Sequence, residues 1–321
     1  MPSPTSFSTL LPLVAPPSWL AALQQLPPQR YAVLVSVVDS AGSVPRGNGA
    51  RMLVTQRHQY DTIGGGHLEW QAVQKARAWL DEALPEGMPT SAQPRHERIT
   101  LGASLGQCCG GVLELRYDRL DAYSNLEYAA FLRELQQQQP ALPRLYLFGA
   151  GHVARALVQV LEQTPCDIIW IDEREDLFPS NLPAHITIEA TDTPEALIAA
   201  APAGSHFLVM THHHGLDLRL TEQILKRHDL KPNDSGWFGL IGSRTKRASF
   251  SHRLIEKGIA PSRLQSMVCP IGLPEIQGKE PGVIAVAVAA QLWQVWSQQR
   301  QAGAADKPSD VSHNEHRLMT T

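Results

Sequence analysis

The stretch LYLFGAGHVA, residues 145–154, decides the fold class predicted for the C-terminal half of the chain. Its first four residues are apolar and predict a buried strand, and the G-x-G-x-x-A spacing predicts a tight turn into a helix. Gly149 permits the turn, Gly151 lets the backbone approach a diphosphate, and Ala154 allows the helix to pack closely on the strand. The backbone amides of the first helical turn, around His152, have no partner within the helix and can bind an anion.

The residues after this stretch continue the same pattern. Short apolar runs alternate with helical segments up to residue 241, which predicts a Rossmann-like domain with a parallel sheet and helices on both faces. The second strand ends at Asp172, where a carboxylate could bind a ribose hydroxyl. The alternative is a Rossmann scaffold that has the turn and binds no nucleotide. Helices are predicted over residues 152–163, 194–200, 217–228 and 282–299.

A histidine-rich turn, THHHGLD at residues 211–217, follows the strand predicted to end at Met210. Ligands bind at the carboxyl ends of strands in such folds, so this turn is a candidate site. His212 and His214 could bind a metal together with Asp217. Alternatively, the imidazoles hydrogen-bond a ligand, or Asp217 caps the helix predicted to begin there.

A third strand-to-helix turn has the sequence GLIGSRTKR, residues 239–247. Ser243 is a candidate N-cap, and the next turn carries the cations Arg244, Lys246 and Arg247. Positive charge at a helix N-terminus opposes the helix dipole, so this arrangement favours a bound phosphate. The alternative is a basic face exposed to solvent.

The N-terminal half is predicted to be rich in strands, with one helix. Two of its turns contain glycines, and both could offer amides to an anion, with Arg46 and Arg51 as counter-charges, or could simply be tight turns. These turns occupy residues 42–47 and 63–67. The strands are predicted over 31–38, 51–55, 61–63 and 112–117, with 51–55 and 61–63 as a hairpin, and the helix over 67–82.

Two adjacent thiols, Cys108 and Cys109, lie in the glycine-flanked sequence GQCCGG. Adjacent cysteines suit a structural zinc poorly, because zinc sites use cysteines two to four residues apart. Sulfur chemistry or contact with a soft metal is therefore favoured, and the alternative is a buried, inert pair.

Length and composition set the remaining limits. A chain of 321 residues predicts about two domains. A net charge of −3 gives no reason to expect nucleic-acid or membrane-surface binding, and the four cysteines predict a reducing, cytoplasmic compartment. No secretory signal or membrane-spanning run is expected. The predicted organisation is a lead-in (1–17), an N-terminal α/β domain (18–121), a helical connector (122–142), a Rossmann-like domain (143–300) and a disordered tail (301–321).

Eight segments together resemble the xanthine dehydrogenase accessory protein family, XdhC, which is related to the maturation factors of carbon monoxide dehydrogenase. The resemblance covers about residues 30–296. The extra histidine, His213, and the tail have no counterpart in it. The matching segments are GSVPRGNGARMLV (42–54), TIGGGHLE (62–69), LGQCCGG (105–111), LFGAGHVARAL (147–157), WIDERE (170–175), VMTHHHGLD (209–217), GLIGSRTKRASF (239–250) and CPIGLPEIQGKEPGVIAVAVAAQL (269–292).

The resemblance implies a chaperone, not an enzyme, that binds molybdopterin cofactor as cargo. Such a protein protects the cofactor while a cysteine desulfurase exchanges an oxo ligand for sulfide, and delivers it to the molybdenum subunit of xanthine dehydrogenase. Family members are expected to form homodimers. The cargo is anionic, so the turns at residues 149–154 and 243–247 are expected to bind it, and Cys108 and Cys109 are expected near the molybdenum. The site residues expected outside the cysteine pair are Arg46, Gly149, Gly151, His152, Asp172, His212, His214, Ser243, Arg244 and Lys246.

Two other functions compete with this one. An oxidoreductase would use NAD(P) at residues 149–154 and at Asp172, although no catalytic acid paired with a substrate pocket is identifiable. A metal-storage or sulfurtransferase protein would use the double-cysteine turn.

Overall fold

The structure, a computed structural model, describes residues 19–84, 93–102, 110–139, 141–230 and 236–305. The chain divides into an N-terminal unit, Met1–Pro140, and a C-terminal unit, Ala141–Thr321. Each unit combines helices with a sheet, which confirms the α/β class predicted from the sequence.

The N-terminal unit contains a five-stranded antiparallel sheet in the order β3-β2-β1-β5-β4. The long central strand β1 pairs with both β2 and β5, and a register shift between Val37 and Asp39 marks a bulge. The strands are β1 (Ala32–Ala41), β2 (Arg51–Thr55), β3 (Gln59–Tyr60), β4 (Arg95–Thr100) and β5 (Val112–Arg119), and the helices are α1 (Trp19–Gln24), α2 (Gly66–Asp81) and α3 (Asn125–Gln137).

Side chains alternate between the two faces of this sheet, as the two-residue period of a strand requires. Val33 and Val35 of β1 pack in a cluster with α2 on one face. Leu34, between them, packs with α1 and α3 on the other face. The unit therefore has three layers, with apolar contacts on both sides of the sheet.

One strand prediction for this unit was wrong, and one strand was missed. The second arm of the hairpin is Gln59–Tyr60 rather than residues 61–63, because Asp61 has a φ of 65° and turns the chain. The strand Arg95–Thr100 was not predicted, because its sequence RHERIT has few apolar residues. It pairs with β5 and ends the sheet order, and charged side chains are common on such edge strands because they discourage aggregation.

The C-terminal unit contains a six-stranded parallel sheet in the order β11-β10-β9-β6-β7-β8. Counted from β6 as the first strand of the unit, this is the order 6-5-4-1-2-3 of the Rossmann fold. The strands are β6 (Arg144–Phe148), β7 (Asp167–Asp172), β8 (Ile186–Ala190), β9 (His206–Val209), β10 (Phe238–Leu240) and β11 (Met267–Val268), and the helices are α4 (His152–Leu161), α5 (Pro194–Ala200), α6 (His214–Leu230), α7 (Arg244–Glu256) and α8 (Pro281–Ala305).

Helices cover both faces of this sheet, as predicted. Leu145 and Leu147 of β6 pack with α4 and α8 on one face, and Tyr146 and Phe148 pack with α5, α6 and α7 on the other. Residues 301–305, predicted to be part of a disordered tail, continue helix α8, and residues 306–321 lie outside the described residues. Although α8 has 25 residues, no helix in the described part of the chain is long and apolar enough to cross a membrane.

Candidate functional site

The carboxyl edge of the C-terminal sheet brings together the three turns that the sequence singled out. Strands β10, β9, β6 and β7 are neighbours and parallel, so the turns after them lie side by side. Helices α4, α6 and α7 all begin at this edge, directly after β6, β9 and β10. Their N-terminal amides therefore make the carboxyl edge suited to binding an anion.

The glycine turn has one position with no room for a side chain, Gly149, and one position with free space beside it, Gly151. Gly149 has a φ of 113°, and a Cβ there would lie 2.4 Å from the Met210 carbonyl oxygen, so only glycine fits. Trp170 donates a hydrogen bond from Nε1 to the Gly149 carbonyl at 2.9 Å and holds the turn in place. A Cβ at Gly151 would meet no described atom within 4 Å, and Gly151 is the N-cap of α4. Gly151 thus leaves open space above the first amides of α4.

Asp172 is fully engaged by protein donors. Its Oδ1 accepts hydrogen bonds from the Arg174 backbone amide at 3.1 Å and from Arg174 Nε at 2.8 Å. Its Oδ2 accepts from the Ala150 amide at 2.7 Å and from Arg174 Nη2 at 2.8 Å. Burial alone would raise the pKa of Asp172, but these hydrogen bonds outweigh it and the pKa lies below its ordinary value.

The histidine-rich turn differs from its prediction at the helix cap. Helix α6 begins at His214, so Asp217 lies in its first turn and does not cap it. The cap is His213, whose Nδ1 accepts the Leu216 amide at 3.1 Å. This histidine had no assigned role in the sequence, because imidazole is an uncommon N-cap. His212 and His214 are exposed at the edge.

Asp217 is fully buried and forms a network with the neighbouring turns. It accepts hydrogen bonds from the Thr211 amide at 3.1 Å and the Thr211 hydroxyl at 2.6 Å, and Lys246 Nζ lies 2.6 Å from its other oxygen. Within the described ranges no group of three histidine, cysteine or acidic side chains is arranged to hold a metal ion. The metal site proposed for His212, His214 and Asp217 is therefore not formed.

The turn after β10 has the predicted helix cap, and its binding of a phosphate stays a prediction. Ser243 caps α7 as predicted, accepting the Lys246 amide at 3.2 Å, and Arg244 is exposed beside it. Lys246 does not face outward, because its Nζ binds Asp217 and the Ile241 carbonyl, the latter at 2.9 Å. A long lysine side chain can fold back over its own helix, a direction that residue spacing does not reveal.

The triple-glycine turn of the N-terminal unit already holds an anion of its own. The Glu69 carboxylate accepts hydrogen bonds from the Ile63 amide at 3.0 Å, the Gly65 amide at 3.1 Å and the Thr62 hydroxyl. Two of the amides predicted for an external anion are therefore used internally. Sequence reasoning missed this role, although a glutamate in the first turn of the helix, three residues after the last glycine, is a signal for such a bond.

The other glycine turn, residues 42–47, packs between two glycine segments. A Cβ at Gly64 would lie 2.4 Å from Pro45 Cβ, and one at Gly111 would lie 2.5 Å from the Ser43 carbonyl oxygen. The Gly111 amide also donates to that carbonyl at 3.1 Å. Gly111 ends the GQCCGG sequence, so this sequence ends beside the 42–47 turn.

Cys108 and Cys109 themselves lie outside the described residues. Arg46, one of the two predicted counter-charges of the glycine turns, is exposed in the 42–47 turn. Arg51 is not a counter-charge for the glycine turns, because it stacks over the Trp19 ring at 5.2 Å and donates to Gln138. Trp19 belongs to the cluster with α1 and α3, so Arg51 lies on the face of the sheet opposite α2.

Two family models match this chain. The model described as the XdhC Rossmann domain matches residues 145–292, and the model of the XdhC and CoxI family matches residues 27–88. Together they cover more than half of the 321 residues. The chain belongs to the XdhC family. The resemblance deduced from the eight segments is thereby confirmed, and the match over 145–292 includes every turn at the carboxyl edge.

Similar proteins include two curated relatives and one solved structure. An uncharacterized protein of Escherichia coli K12, YqeB, is 28% identical over 280 residues, which are 87% of this chain and 46% of YqeB. This XdhC-family chain thus spans about half the length of that relative. A protein of Bacillus subtilis 168 described as a probable xanthine dehydrogenase subunit is 23% identical, covering 83% of this chain and 93% of the relative.

The crystal structure of a xanthine dehydrogenase from Bacillus halodurans superposes with a TM-score of 0.68 at 18% identity. The match covers 91% of this chain and 98% of that one. At this identity the likeness establishes a shared fold, which extends over both units of the XdhC-family chain.

Proposed function

We propose that this XdhC-family protein is an accessory factor in the maturation of a xanthine dehydrogenase, and that its cargo is the molybdopterin cofactor. Family membership and the relative described as a probable xanthine dehydrogenase subunit support the link to xanthine dehydrogenase. The protein holds the cofactor while a cysteine desulfurase supplies sulfide, and then delivers it to the molybdenum subunit. As expected of the family, it acts as a homodimer in the cytoplasm.

The observation that carries this proposal is the open backbone at Gly151 beside three helix N-termini. A pterin phosphate needs hydrogen-bond donors and room for its oxygens, and the first amides of α4 beneath Gly151 offer both. His152, His212, His214, Ser243 and Arg244 are exposed along the same edge and complete a polar, partly cationic rim.

The ionisable groups buried at this edge favour binding over catalysis. Asp172 is engaged by Arg174, and Asp217 by Lys246 and Thr211. A general acid or base must exchange a proton with substrate, which these saturated groups are badly placed to do. The groups open to a ligand at this edge include amides, imidazoles and Arg244, which suit recognition of an anionic cargo, and the exposed carboxylates of Glu173 and Asp192 lie beside them.

Cys108 and Cys109 are proposed to contact the molybdenum or to carry sulfur to it. Soft thiolates suit a metal held by a dithiolene, and they can carry sulfur as a persulfide. The 42–47 turn, with Arg46 exposed, lies beside the end of the sequence that carries them.

A second candidate function, an NAD(P)-dependent oxidoreductase, is favoured by the strand order of the C-terminal sheet, which is the order that binds dinucleotides. Against it, Asp172, the acid expected to bind the ribose of NAD, has all its acceptor positions taken. The two functions make different predictions for what the protein carries.

The test is to purify the protein without oxygen from a host that makes molybdopterin and to measure bound pterin fluorescence, molybdenum and NAD(P). Pterin and molybdenum without nicotinamide are expected. Tight nicotinamide with no pterin would replace the chaperone proposal by the oxidoreductase.

The role of the thiols is tested by Cys109→Ala, which is expected to lower retained molybdenum or the activation of apo xanthine dehydrogenase. The matched control is Cys166→Ala, which removes a free thiol buried before β7, at the opposite edge of the sheet. Normal activation by the Cys109 variant would exclude that thiol from the mechanism.

A further inference from the structure

A cavity of about 460 Å³ lies at the amino edge of the C-terminal sheet, the edge formed by the amino ends of its strands. Its volume is within the range of small-molecule sites in proteins. The neighbouring strands β6 and β9 begin there, at Arg144 and His206, and the last turns of α8 pass beside them. We call this cavity the amino-edge pocket. It is lined by residues 141–144, residues 202–206, Trp296, Gln299 and Arg300.

The floor of the amino-edge pocket is buried and partly aromatic. Trp296 and His206 are 1% and 2% exposed, and the centroids of their rings lie 5.9 Å apart. Leu142, in the segment that leads into β6, is 41% exposed at the entrance. An apolar ring or branched chain that covers these groups is removed from water, which favours its binding.

The wall that follows α5 is held in place from inside the unit. Arg227 of α6 is 5% exposed and donates to the Ile198 carbonyl at 2.7 Å. Its Nη2 also donates to the carbonyls of Ala201 and Pro202, at 2.6 and 2.7 Å. The Ser205 hydroxyl donates to the Pro202 carbonyl at 2.7 Å. Because these bonds fix the loop, a ligand has little ordering of this wall to bring about when it binds.

Two arginines supply the permanent charges among the residues that line the amino-edge pocket. The side chain of Arg144 is 45% exposed and pairs at 3.4 Å with Asp167, which does not line the pocket. Arg300 stacks over the Trp293 ring at 5.2 Å and donates to the Pro165 carbonyl at 3.4 Å. Within the described part of the chain, no carboxylate lines the pocket or forms an ion pair with Arg300. The charge of the pocket is therefore positive.

Both guanidinium groups keep donors available for an anion. A guanidinium can donate several hydrogen bonds, and contacts at 3.4 Å are longer than the roughly 2.9 Å typical of such bonds. The Nε of Arg300 and the Nε1 of Trp296 are buried and have no hydrogen-bond partner among the described residues. Buried donors usually have partners in folded proteins, so this corner of the unit is short of acceptors. An acceptor group with negative charge suits it.

We propose that the amino-edge pocket binds a small amphipathic anion, namely a carboxylate or phosphate group attached to an apolar ring or branched chain. The anionic group binds Arg144 and Arg300, and the apolar body lies on Trp296 and Leu142. The inference goes beyond the proposed function, because the pocket lies at the edge opposite the turns proposed for the cofactor. It requires neither pterin nor molybdenum.

The test is isothermal titration calorimetry of the cofactor-free full chain with benzoate, phenyl phosphate, the neutral analogue benzamide, and inorganic phosphate. Benzoate or phenyl phosphate is expected to bind saturably with a Kd below about 1 mM. Benzamide lacks the charge and inorganic phosphate lacks the apolar body, so each is expected to bind at least about tenfold more weakly. Tighter binding of benzoate indicates a carboxylate ligand, and tighter binding of phenyl phosphate indicates a phosphate monoester. Failure of both anions to bind, or equal binding of either analogue, overturns the proposal.

A double variant locates the anionic group. Arg144→Gln combined with Arg300→Gln removes both charges of the amino-edge pocket and is expected to weaken binding of the better anion at least about tenfold. The control is Arg57→Gln, because Arg57 is an exposed arginine of the N-terminal unit. This control is expected to bind the anion as the wild type does.

A second variant tests the location without removing a contact of the fold. Leu142→Glu places a carboxylate at the entrance of the pocket and is expected to weaken binding at least about fivefold through repulsion. Leu126→Glu is the control, because Leu126 is 77% exposed on α3. Both leucines are exposed, so both variants are expected to fold. Unchanged affinity in Leu142→Glu, or in a folded double arginine variant, would place the anion elsewhere and refute the proposal.

Discussion

Glu69 offers a sharp test of how the N-terminal unit holds its glycine turn. Its Oε2 accepts hydrogen bonds from the Thr62 hydroxyl and from the amides of Ile63 and Gly65. In Glu69→Gln, an amide oxygen can keep these bonds but not the charge. Hydrogen bonds to charged acceptors contribute more than neutral ones, so three of them predict a loss of about 2 kcal/mol in the local stability of the turn.

The assay is amide hydrogen exchange by mass spectrometry on a peptide covering residues 60–66. A loss of about 2 kcal/mol raises the opening equilibrium, and with it the exchange rate of Ile63 and Gly65, about 30-fold. The matched control is Glu134→Gln, which removes an exposed carboxylate on α3 that accepts one neutral hydrogen bond from Gln138 at 3.0 Å. This control should leave the exchange of the peptide unchanged.

The effect depends on pH with a definite sign. Burial alone would raise the pKa of Glu69, but hydrogen bonds from Thr62, Gln59 and the two amides outweigh it, so the folded pKa lies below the ordinary value of 4.5. The stabilisation of the turn by the Glu69 carboxylate is therefore fully present above pH 4.5, and it is lost as the pH falls through the lower pKa of the folded state. The ratio of variant to wild-type exchange should shrink in that acidic range. A ratio near one at neutral pH, or one that does not change on acidification, would refute the reasoning.

Three further predictions concern the carboxyl edge. His213→Ala removes the cap of α6 and should lower the free energy of unfolding in urea by about 1 kcal/mol, which His213→Asn should largely restore; equal midpoints would count against the cap. Lys246→Met leaves the Asp217 carboxylate buried without its cation, so the free energy of unfolding should fall by about 3–5 kcal/mol, as measured by thermal unfolding. The control Arg244→Met, at an exposed position, should lower it by less than about 0.5 kcal/mol. Gly149→Ala should lower the free energy of unfolding by about 2 kcal/mol or more. Gly151→Ala should leave the free energy of unfolding nearly unchanged but weaken phosphate binding. A larger loss of stability in the Gly151 variant than in the Gly149 variant would contradict the geometry of the turn.

Much of the C-terminal unit could be predicted from the sequence, because its signals are local. Apolar runs of strand length and the glycine spacing at residues 145–154 predicted the strand, turn and helix that the structure contains. Ser243 was identified as a cap from its position alone. The strand Arg95–Thr100 could not be predicted in this way, because its pairing with β5 rather than its own composition makes it a strand.

The sequence by itself determined the fold class and the glycine turns, since backbone preferences and apolar periodicity act over a few neighbouring residues, and its eight segments carried the resemblance to the family. Only the tertiary structure decided which charges face a ligand. Lys246 was expected to bind a phosphate and Asp172 a ribose hydroxyl, and in the structure they bind Asp217 and Arg174. The physical reason is that a long charged side chain can reach several possible partners. Which opposite charge it is buried against depends on how the loops pack together, and residue spacing does not specify that packing.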